Sequence, residues 1–338
     1  MTDETRATRQ RLLGMVNGFM LSQALYAFTV LGLAELIGDG RRIAADLAAA
    51  AKADPAAVNR LLRALAAAGV LDEDDQGGFA LTPLGEGLRE DASGSLAGWT
   101  ALVGSENFWA NWGRLTDSVR TGKTGWRLRL EGDAWDYRAQ HPDENLRFDK
   151  AMVSITSASA GSVAEDYDFS RFGTIVDVGG GRGTLIAQIL ARNSAANGVL
   201  FDQTHVVEGA APLLKDQGVF ERCQVVGGSF FESVPEGGDA YVLKSVLHDW
   251  SDPEAVRILK TVRAATRPGA VLLLVERVLE PPNQGLSGKL GDLNMLVNPG
   301  GIERTREEWD RLLAAGGFGL LEVHPTRGMF SVLEATPV

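Results

Sequence analysis

Five short apolar runs in the second half of the chain constrain its fold more than any other feature. Each run is rich in valine and leucine, and a helical stretch separates it from the next one. Continuous apolar runs of this length are typical of strands that are covered on both faces of a parallel sheet. The runs are Thr174 to Val178, Val199 to Asp202, Gln224 to Gly228, Ala240 to Ser245 and Ala270 to Arg277.

Two further runs, GLLEV and MFSVLEA, lie near the end of the chain and are close enough to pair as an antiparallel hairpin. Five βα units that are followed by such a hairpin predict a doubly wound α/β sheet, Rossmann-like and seven-stranded. The first half has a different pattern, which is helical and rich in alanine up to about Ala160.

The segment from Arg41 to Asp91 predicts a winged-helix module. Short helices are expected between Ile43 and Leu71, and Gly77-Gly78 suggests a small hairpin after them. A winged helix either binds DNA or serves as a structural module. This one holds more acidic than basic residues, and the whole chain has a net charge of −11. Because binding to phosphates needs clustered Lys and Arg, the structural interpretation is favoured and no nucleic-acid partner is expected.

The stretch from Leu12 to Ala34 carries no charged residue and is long enough to span a membrane. It contains Asn17, Ser22 and Gln23, and no basic cluster flanks it on one side, so a buried helix pair at a subunit interface is expected instead. Cys223 is the one cysteine of the chain, which excludes an intrachain disulfide and predicts a reducing, cytoplasmic location.

A glycine-rich loop, DVGGGRGT, follows the first predicted strand. Gly179, Gly181 and Gly183 give the pattern G-x-G-x-G at the start of a helix, where free N–H groups and missing side chains allow a ligand to approach the backbone. Asp202 ends the second strand, where an acid meets ribose hydroxyls. No Walker lysine follows the glycines. The pattern therefore predicts an adenosine-containing ligand without a bound polyphosphate.

Six short motifs occur along the sequence in a characteristic order. They are VDVGGGRG, FDQTHVV, GGSFFESVP, YVLKSVLHDWSD, LLLVERVL and NPGGIERT. In this order they resemble the small-molecule O-methyltransferases that use S-adenosylmethionine, of the dimeric type found among plant phenolic enzymes and bacterial natural-product tailoring enzymes. The resemblance covers nearly the whole chain.

The resemblance implies an organisation in three parts. A winged-helix-like dimerisation domain is expected over residues 1–100, linking helices that line the acceptor pocket over 101–165, and a Rossmann-like catalytic domain over 166–338. It also implies a homodimer, S-adenosylmethionine as cofactor, S-adenosylhomocysteine as product, and no metal.

His248 follows the fourth strand, at the edge where ligands of open α/β sheets bind. A phenol with a pKa near 10 is mostly protonated at neutral pH, so an imidazole that takes its proton would speed methyl transfer. By resemblance, Glu276 and Glu303 are the two acids that bracket this histidine. Asp249 either binds or polarises the substrate, or caps the helix that follows. Asp252, directly before Pro253, is predicted to be a structural helix cap.

Other site residues come from the resemblance. Phe230 is expected against the adenine, Thr156 near the methionine carboxylate, and Ser229 stands where the family has an aspartate. A serine still accepts one hydrogen bond, so an altered adenine contact is expected. The full expected cofactor set is Thr156, Gly179, Gly181, Asp202, Ser229, Phe230 and Lys244.

The acceptor pocket is expected to be aromatic and rich in methionine. Phe108 and Trp112 are four residues apart and share a helix face, a pattern that alone favours core packing. The resemblance favours the pocket instead. Asp292 either binds substrate or caps local backbone, and Asn298 is a candidate donor to a substrate oxygen. The expected acceptor-lining residues are Phe108, Trp109, Trp112, Met152, Asp292, Met295 and Asn298.

These features predict an O-methyltransferase that modifies a phenolic or enolic hydroxyl of an aromatic natural product. One alternative keeps the fold and the cofactor but runs hydroxylation, decarboxylation or pericyclic chemistry. The presence of Lys244, His248, Glu276 and Glu303 favours methyl transfer over it. A ligand-sensing winged-helix regulator is a further alternative, and it requires a basic recognition helix that this chain lacks.

Overall fold

The structure is a computed structural model that describes residues 3–130 and 132–338, apart from the side chains of 156–159. The chain folds as two compact units. The first unit comprises Met1–Ala110 with Arg138–Ala158, and the second comprises Asn111–Tyr137 with Ser159–Val338.

The chain before residue 167 is mostly helical, with three short strands. Its helices are α1 (Asp3–Val30), α2 (Leu33–Ile37), α3 (Ala44–Ala51), α4 (Pro55–Ala67), α5 (Pro83–Glu86), α6 (Ala97–Val103), α7 (Glu106–Trp112), α8 (Leu115–Thr121), α9 (Gly125–Arg129), α10 (Ala134–Gln140) and α11 (Pro142–Asp166). Its strands are β1 (Arg42–Ile43), β2 (Leu71–Glu73) and β3 (Gly78–Leu81).

The predicted winged-helix module is present. Strands β1, β3 and β2 form an antiparallel sheet in that order, and β2 and β3 flank the predicted turn at Gly77. Asp54 is the N-cap of α4, since it accepts a hydrogen bond from the Ala57 N–H, and Pro55 occupies the first turn. Phe28, Leu62 and Phe79 are fully buried in the core that these elements share.

The charge-free stretch from Leu12 to Ala34 forms most of α1 and the start of α2, and one protomer alone does not provide the burial expected for it at a subunit interface. Helix α1 is continuous to Val30, and Phe28 is its buried residue. Eight of its apolar side chains are exposed, and they are Leu12, Leu13, Met15, Val16, Phe19, Met20, Leu21 and Val30. In the described part of the chain, α1 is the helix that by length and composition could cross a membrane. An uncovered apolar face of this size needs a partner surface.

We expect a charge on this face to weaken the dimer. Val16 is 62% exposed and Leu84, elsewhere on the first unit, is 63% exposed. Val16→Glu should raise the dissociation constant of the dimer at least about tenfold, because a twofold interface would bury the charge twice. Leu84→Glu is the matched control. Light scattering over a dilution series measures both, and an unchanged Val16→Glu dimer would contradict the expectation.

The chain from residue 167 onward alternates strands and helices. Its strands are β4 (Thr174–Val178), β5 (Asn197–Asp202), β6 (Cys223–Gly227), β7 (Ala240–Lys244), β8 (Val271–Glu276), β9 (Val278–Leu279), β10 (Arg304–Thr305), β11 (Phe318–Pro325) and β12 (Ser331–Pro337). Its helices are α12 (Thr184–Arg192), α13 (Thr204–Val207), α14 (Ala211–Asp216), α15 (Asp252–Ala265), α16 (Leu286–Val297) and α17 (Arg306–Gly316).

Seven of these strands form one sheet in the order β11-β12-β8-β7-β4-β5-β6. Strands β4 to β8 are parallel, whereas β12 pairs antiparallel with β8 and β11 with β12. The predicted doubly wound sheet and its closing hairpin are therefore confirmed. Apolar clusters cover both faces, which explains the continuous apolar runs. Since β4 lies between β5 and β7, their carboxyl ends meet at the switch point where such sheets bind ligands.

Candidate active site

His248 lies at the centre of a cluster of carboxylates just beyond the end of β7. It sits on a short 3-10 turn, Leu247–Asp249, and its side chain is 12% exposed. Its Nδ1 atom is 3.2 Å from Glu303 Oε1 and 3.6 Å from Glu276 Oε2. Its Nε2 atom is 3.6 Å from Asp249 Oδ1. The structure thus brings together the four residues that were predicted to be catalytic.

Glu276 ends β8 and is completely buried. Its Oε1 atom accepts hydrogen bonds from the N–H groups of Val246 and Leu247, at 3.1 and 3.0 Å. Its Oε2 atom accepts none from the described residues and faces the imidazole. One carboxylate therefore holds the turn that carries His248 and also contacts the ring.

Glu303 reaches the same ring nitrogen from the segment that precedes β10. Its side chain is almost fully buried, and its own N–H donates to Asp292 Oδ1 at 2.9 Å. Asp292 lies on α16, so one of the two roles left open for it, capping of local backbone, is present in the structure. Substrate binding by Asp292 stays a prediction.

The carboxylates raise the proton affinity of His248. Burial would lower the pKa of the imidazole, but the charges of Glu276 and Asp249 and the hydrogen bond with Glu303 outweigh it and raise the pKa to about 10. Burial raises the pKa of Glu276 to about 7. The proton therefore resides on the imidazole at neutral pH.

Arg304 fixes the backbone around His248, a role that the sequence did not reveal. Its guanidinium is 2% exposed and donates to the carbonyl oxygens of Leu247, Trp250 and Ile302 at 3.1 to 3.2 Å. It also donates to Asp252 Oδ1 at 2.7 Å. The one sequence signal for this role was the position of Arg304 next to Glu303 in the GGIERT motif.

Asp252 is not the helix cap that the sequence suggested. Ser251 is the N-cap of α15, and it forms a capping box with Glu254. Asp252 lies in the first turn and pairs with Arg304 instead. Because the cap is Ser251, Asp249 does not cap this helix, and its substrate role stays a prediction.

Gly301 also holds the turn. The His248 carbonyl oxygen accepts a hydrogen bond from the Ile302 N–H at 2.7 Å. A Cβ atom on Gly301 would lie 1.7 Å from that same oxygen, so only glycine fits here. Gly301 of NPGGIERT is therefore the position where the chain passes closest to the histidine backbone.

We expect Arg304→Met to unfold more easily, because it leaves one carboxylate and three carbonyl oxygens, one buried and two partly buried, without their donor. The free energy of unfolding should fall by about 3 kcal/mol, and methyl transfer should fall with it. Urea unfolding measures the first effect. Arg267→Met, which removes the exposed pair with Asp239, is the control and should change stability far less. Equal losses in the two variants would argue against the role of Arg304.

The glycine loop is shaped for a ligand at the other side of the switch point. Gly179 and Gly181 have φ angles of 71° and 61°, and the space beside Gly181 is open. Asp202 Oδ2 accepts the Gly181 N–H at 2.8 Å, and Oδ1 accepts the Gln203 N–H at 2.6 Å. These bonds orient the carboxylate at the end of β5. An oriented acid beside an open glycine backbone fits the ribose of an adenosine cofactor.

Lys244 ends β7 and is half-buried. Its Nζ atom lies 4.5 Å from the centre of the Phe330 ring, and the nearest hydrogen-bonding partner is Ser245 Oγ at 3.5 Å. Burial lowers the pKa of Lys244 to about 8. An amine in this setting gains most from an anionic or acceptor group on a ligand. Phe330, on the hairpin side of the sheet, was missed because its run indicated only a strand.

Phe230 belongs to an aromatic cluster with Phe231 and Trp250. The Phe230 ring centre is 5.1 Å from that of Phe231 and 6.0 Å from that of Trp250. Ser229 Oγ accepts the Phe231 N–H at 3.3 Å, so it stabilises this turn. Thr156 lies outside the described side chains. The part of each in cofactor binding stays a prediction.

The predicted acceptor residues fall in both units. In the first unit, Phe108 contacts Trp99 edge to face and Trp109 contacts Phe19 in the same way. Met152 lies on α11 in that unit and is half-buried. Their role as pocket residues stays a prediction.

In the second unit, Trp112, Met295 and Asn298 lie on or beside α7 and α16. Trp112 Nε1 donates to Asn294 Oδ1 at 3.2 Å. Asn298 is buried, and both ends of its amide are hydrogen-bonded within the protein. Met295 is half-buried, and its carbonyl oxygen accepts the Gly300 N–H at 2.7 Å. The sequence missed Asn111 and Asn294, which pair with Asn298.

Two family models match the chain. Residues 112–319 match an O-methyltransferase domain. Residues 13–91 match an O-methyltransferase dimerisation domain. The second match contains most of α1 and the whole winged-helix module.

Curated relatives include both O- and N-methyltransferases. The chain is 41% identical to an O-demethylpuromycin-O-methyltransferase of Streptomyces alboniger, over 98% of this chain and 89% of the relative. It is 39% identical to an 8-amino-8-demethylriboflavin N,N-dimethyltransferase of Streptomyces davaonensis, over 97% and 95% of the two chains.

A solved structure with a similar fold contains both a cofactor and an acceptor. It is an O-methyltransferase from neocarzinostatin biosynthesis, in complex with S-adenosylmethionine and 2-hydroxy-5-methyl naphthoic acid. The TM-score is 0.79 and the identity 33%, over 94% of this chain and 96% of the other.

Proposed function

The chain belongs to the O-methyltransferase family, whose members use S-adenosylmethionine, and we propose that it methylates a phenolic or enolic hydroxyl of an aromatic natural product with His248 as general base. One observation carries the proposal. Nδ1 of His248 faces two buried carboxylates, while Nε2 lies on the opposite side of the ring.

The two carboxylates determine which ring nitrogen is the base. Glu276 and Glu303 have no proton to donate when they are ionised, so Nδ1 must carry the hydrogen that faces them. In the neutral imidazole the lone pair is then on Nε2. This arrangement orients the ring and stabilises the imidazolium that forms when Nε2 accepts a proton. Glu276 and Glu303 therefore act as positioning residues, and His248 contacts the substrate.

The cofactor is held by the glycine loop, Asp202 and Lys244 in this proposal, with Phe230 beside the adenine. When bound, S-adenosylmethionine supplies an electrophilic methyl group and a good leaving group, so no acid is needed. The protein must hold the hydroxyl oxygen of the substrate in line with that methyl group. His248 makes this oxygen nucleophilic by removing its proton. The open backbone at Gly181 leaves room for the cofactor.

Asp249 acts on the Nε2 side of the ring. Its Oδ1 atom is 3.6 Å from Nε2, so it adds to the proton affinity of the nitrogen that serves as base. A carboxylate at this distance also accepts a hydrogen bond from a hydroxyl that approaches Nε2. We assign it to raising the basicity of His248 and to holding the acceptor hydroxyl.

A second candidate is methyl transfer to an aromatic amine, which the N,N-dimethyltransferase relative favours. The two reactions differ in their need for a base. A neutral aromatic amine attacks with its lone pair and releases its proton afterwards, whereas a phenol is a poor nucleophile until its proton leaves. The buried carboxylates around His248 favour the hydroxyl.

We expect His248→Gln to reduce transfer to phenols by about 10²- to 10⁴-fold, the range of general base catalysis. Transfer to the matching aromatic amines should fall less. Methyl-labelled S-adenosylmethionine with paired hydroxy- and amino-naphthalenes measures both, and His324→Gln is the control. Methyl transfer to phenols at the wild-type rate by His248→Gln would refute the assignment of His248 as general base. Amine methylation by the wild type without phenol methylation would support the second candidate.

We expect kcat/KM for a phenol to rise with pH up to the pKa of His248. The raised pKa leaves the imidazole protonated at neutral pH, so the competent form has lost one proton and grows about tenfold per pH unit. Asp249→Asn removes one charge that raises this pKa, so its profile should level off at a lower pH. Rate profiles with one phenol compare the two proteins, and an unshifted break would contradict the assignment of Asp249.

The dimerisation domain supports a homodimer. We include a cytoplasmic location in the proposal, and the buried, unpaired Cys223 is consistent with a reducing compartment.

A further inference from the structure

A chain of three asparagine amides runs between helices α7 and α16 beside the candidate active site. We infer that Asn294 uses its amide nitrogen to bind an oxygen acceptor on the aromatic substrate, such as a ketone, quinone or carboxylate oxygen, and so selects substrates that carry one. This inference rests on the proposed function and names a substrate class for it.

Arg129 donates a hydrogen bond to one end of this chain of amides, and Trp112 donates one to the other end. Arg129 Nη1 donates to Asn111 Oδ1 at 2.6 Å, and Asn111 Nδ2 donates to Asn298 Oδ1 at 3.1 Å. Asn298 Nδ2 then donates to Asn294 Oδ1 at 2.8 Å, and Trp112 Nε1 donates to the same oxygen at 3.2 Å. Asn111 is fully buried and Asn298 nearly so, which keeps water from competing for these bonds.

The direction of every amide in this chain is fixed by chemistry. Arginine and tryptophan side chains donate hydrogen bonds and accept none. Arg129 therefore requires an oxygen on Asn111, and Trp112 requires an oxygen on Asn294. Asn298 then fits in one orientation alone, with its oxygen toward Asn111 and its nitrogen toward Asn294. Rotation of any one amide would bring two donors or two acceptors face to face.

This polarity determines what Asn294 offers to a ligand. Its Oδ1 atom already accepts two hydrogen bonds, so both of its acceptor positions are used. No residue in the described part of the chain accepts from its Nδ2 atom, although the side chain is half-buried. Asn294 is therefore a donor toward anything that binds beside it. A substrate that places CH₂ there leaves a desolvated N–H unpaired, which binding disfavours.

The position of α16 puts this donor near the catalytic cluster. Residues three and four apart share a helix face, so Asn294 lies on one face with Gly291 and Asn298. A Cβ atom on Gly291 would lie closest to Arg277 Nη1 and 3.9 Å from Glu303 Oε1, the atom that contacts His248. The helix face that carries Asn294 therefore also carries, one turn earlier, a position beside the guanidinium of Arg277 and the carboxylate of Glu303.

This arrangement also changes the role of Asn298, the residue that the sequence suggested as a substrate donor. Its amide is committed to Asn111 on one side and Asn294 on the other. Asn298 therefore fixes the orientation of the Asn294 amide, and Asn294 is the residue that contacts the substrate.

The test compares two phenols of one ring skeleton in wild type and Asn294→Asp. One is a hydroxytetralone with its hydroxyl meta to the ketone, and the other is the tetrahydronaphthol with CH₂ in place of that ketone. The substitution Asn294→Asp keeps an oxygen for Trp112 and Asn298, so it preserves the chain of amides and turns only the outward donor into an acceptor. Positional isomers of the pair cover different placements of the ketone.

The readout is the ratio of kcat/KM for the ketone over its CH₂ analogue. We expect at least about tenfold in wild type and a ratio of one or less in Asn294→Asp. The effect of the added charge on the catalytic groups changes both rates alike, so the ratio cancels it. Asn197→Asp, an exposed position on β5, is the matched control and should keep the wild-type ratio.

The outcomes separate the inference from the proposed function. A ratio near one in wild type, or a ratio that Asn294→Asp preserves, overturns the inference and leaves methyl transfer intact. If wild type methylates neither phenol, the proposed function fails. The ratio of the two dissociation constants, measured by calorimetry with S-adenosylhomocysteine present, then decides the inference by the same criterion.

Discussion

The burial of two carboxylates against one imidazole is the interaction on which the rest of the site depends. A buried carboxylate is costly unless hydrogen bonds and an opposite charge compensate it. Glu276 obtains both from the turn after β7, through two backbone N–H groups and the ring of His248. That turn must therefore stay in one conformation, which explains why Arg304 holds its carbonyl oxygens and why Gly301 packs directly on its backbone.

Strand order brings this cluster to the cofactor loop. With β4 between β5 and β7, the glycine loop, Asp202, Lys244 and Glu276 all follow carboxyl ends at one edge of the sheet. These residues lie close together because of the order of the strands in the sheet, and no single strand determines it. The same architecture can therefore host different chemistry when the residues at the strand ends change.

The sequence predicted the strands and their terminal residues because burial on both faces leaves a continuous apolar run that ends where polar groups begin. It placed Glu303 only by resemblance, since this acid lies 55 residues after His248 and no period links them. Arg304 and the pairing of the three asparagines escaped prediction for the same reason. Burial of Leu12 to Ala34 at a subunit interface stays a prediction, because a lack of charge does not say what covers a helix and one protomer leaves most of α1 exposed. The predicted N-cap of α15, Asp252, was wrong by one residue, because the cap is Ser251 and serine and aspartate are both good caps.

The carboxylates around His248 adjust it to one kind of acceptor. They raise its pKa to about 10, close to the ordinary pKa of a phenol. Once the imidazole has lost its own proton, transfer from a phenol of similar pKa costs little free energy, so the oxygen can gain charge as the methyl group arrives. A methylated aromatic ammonium is a much stronger acid and gives up its proton to water without such a base. The energetic cost of burying two carboxylates beside one imidazole is therefore useful for a hydroxyl acceptor and has little use for an amine.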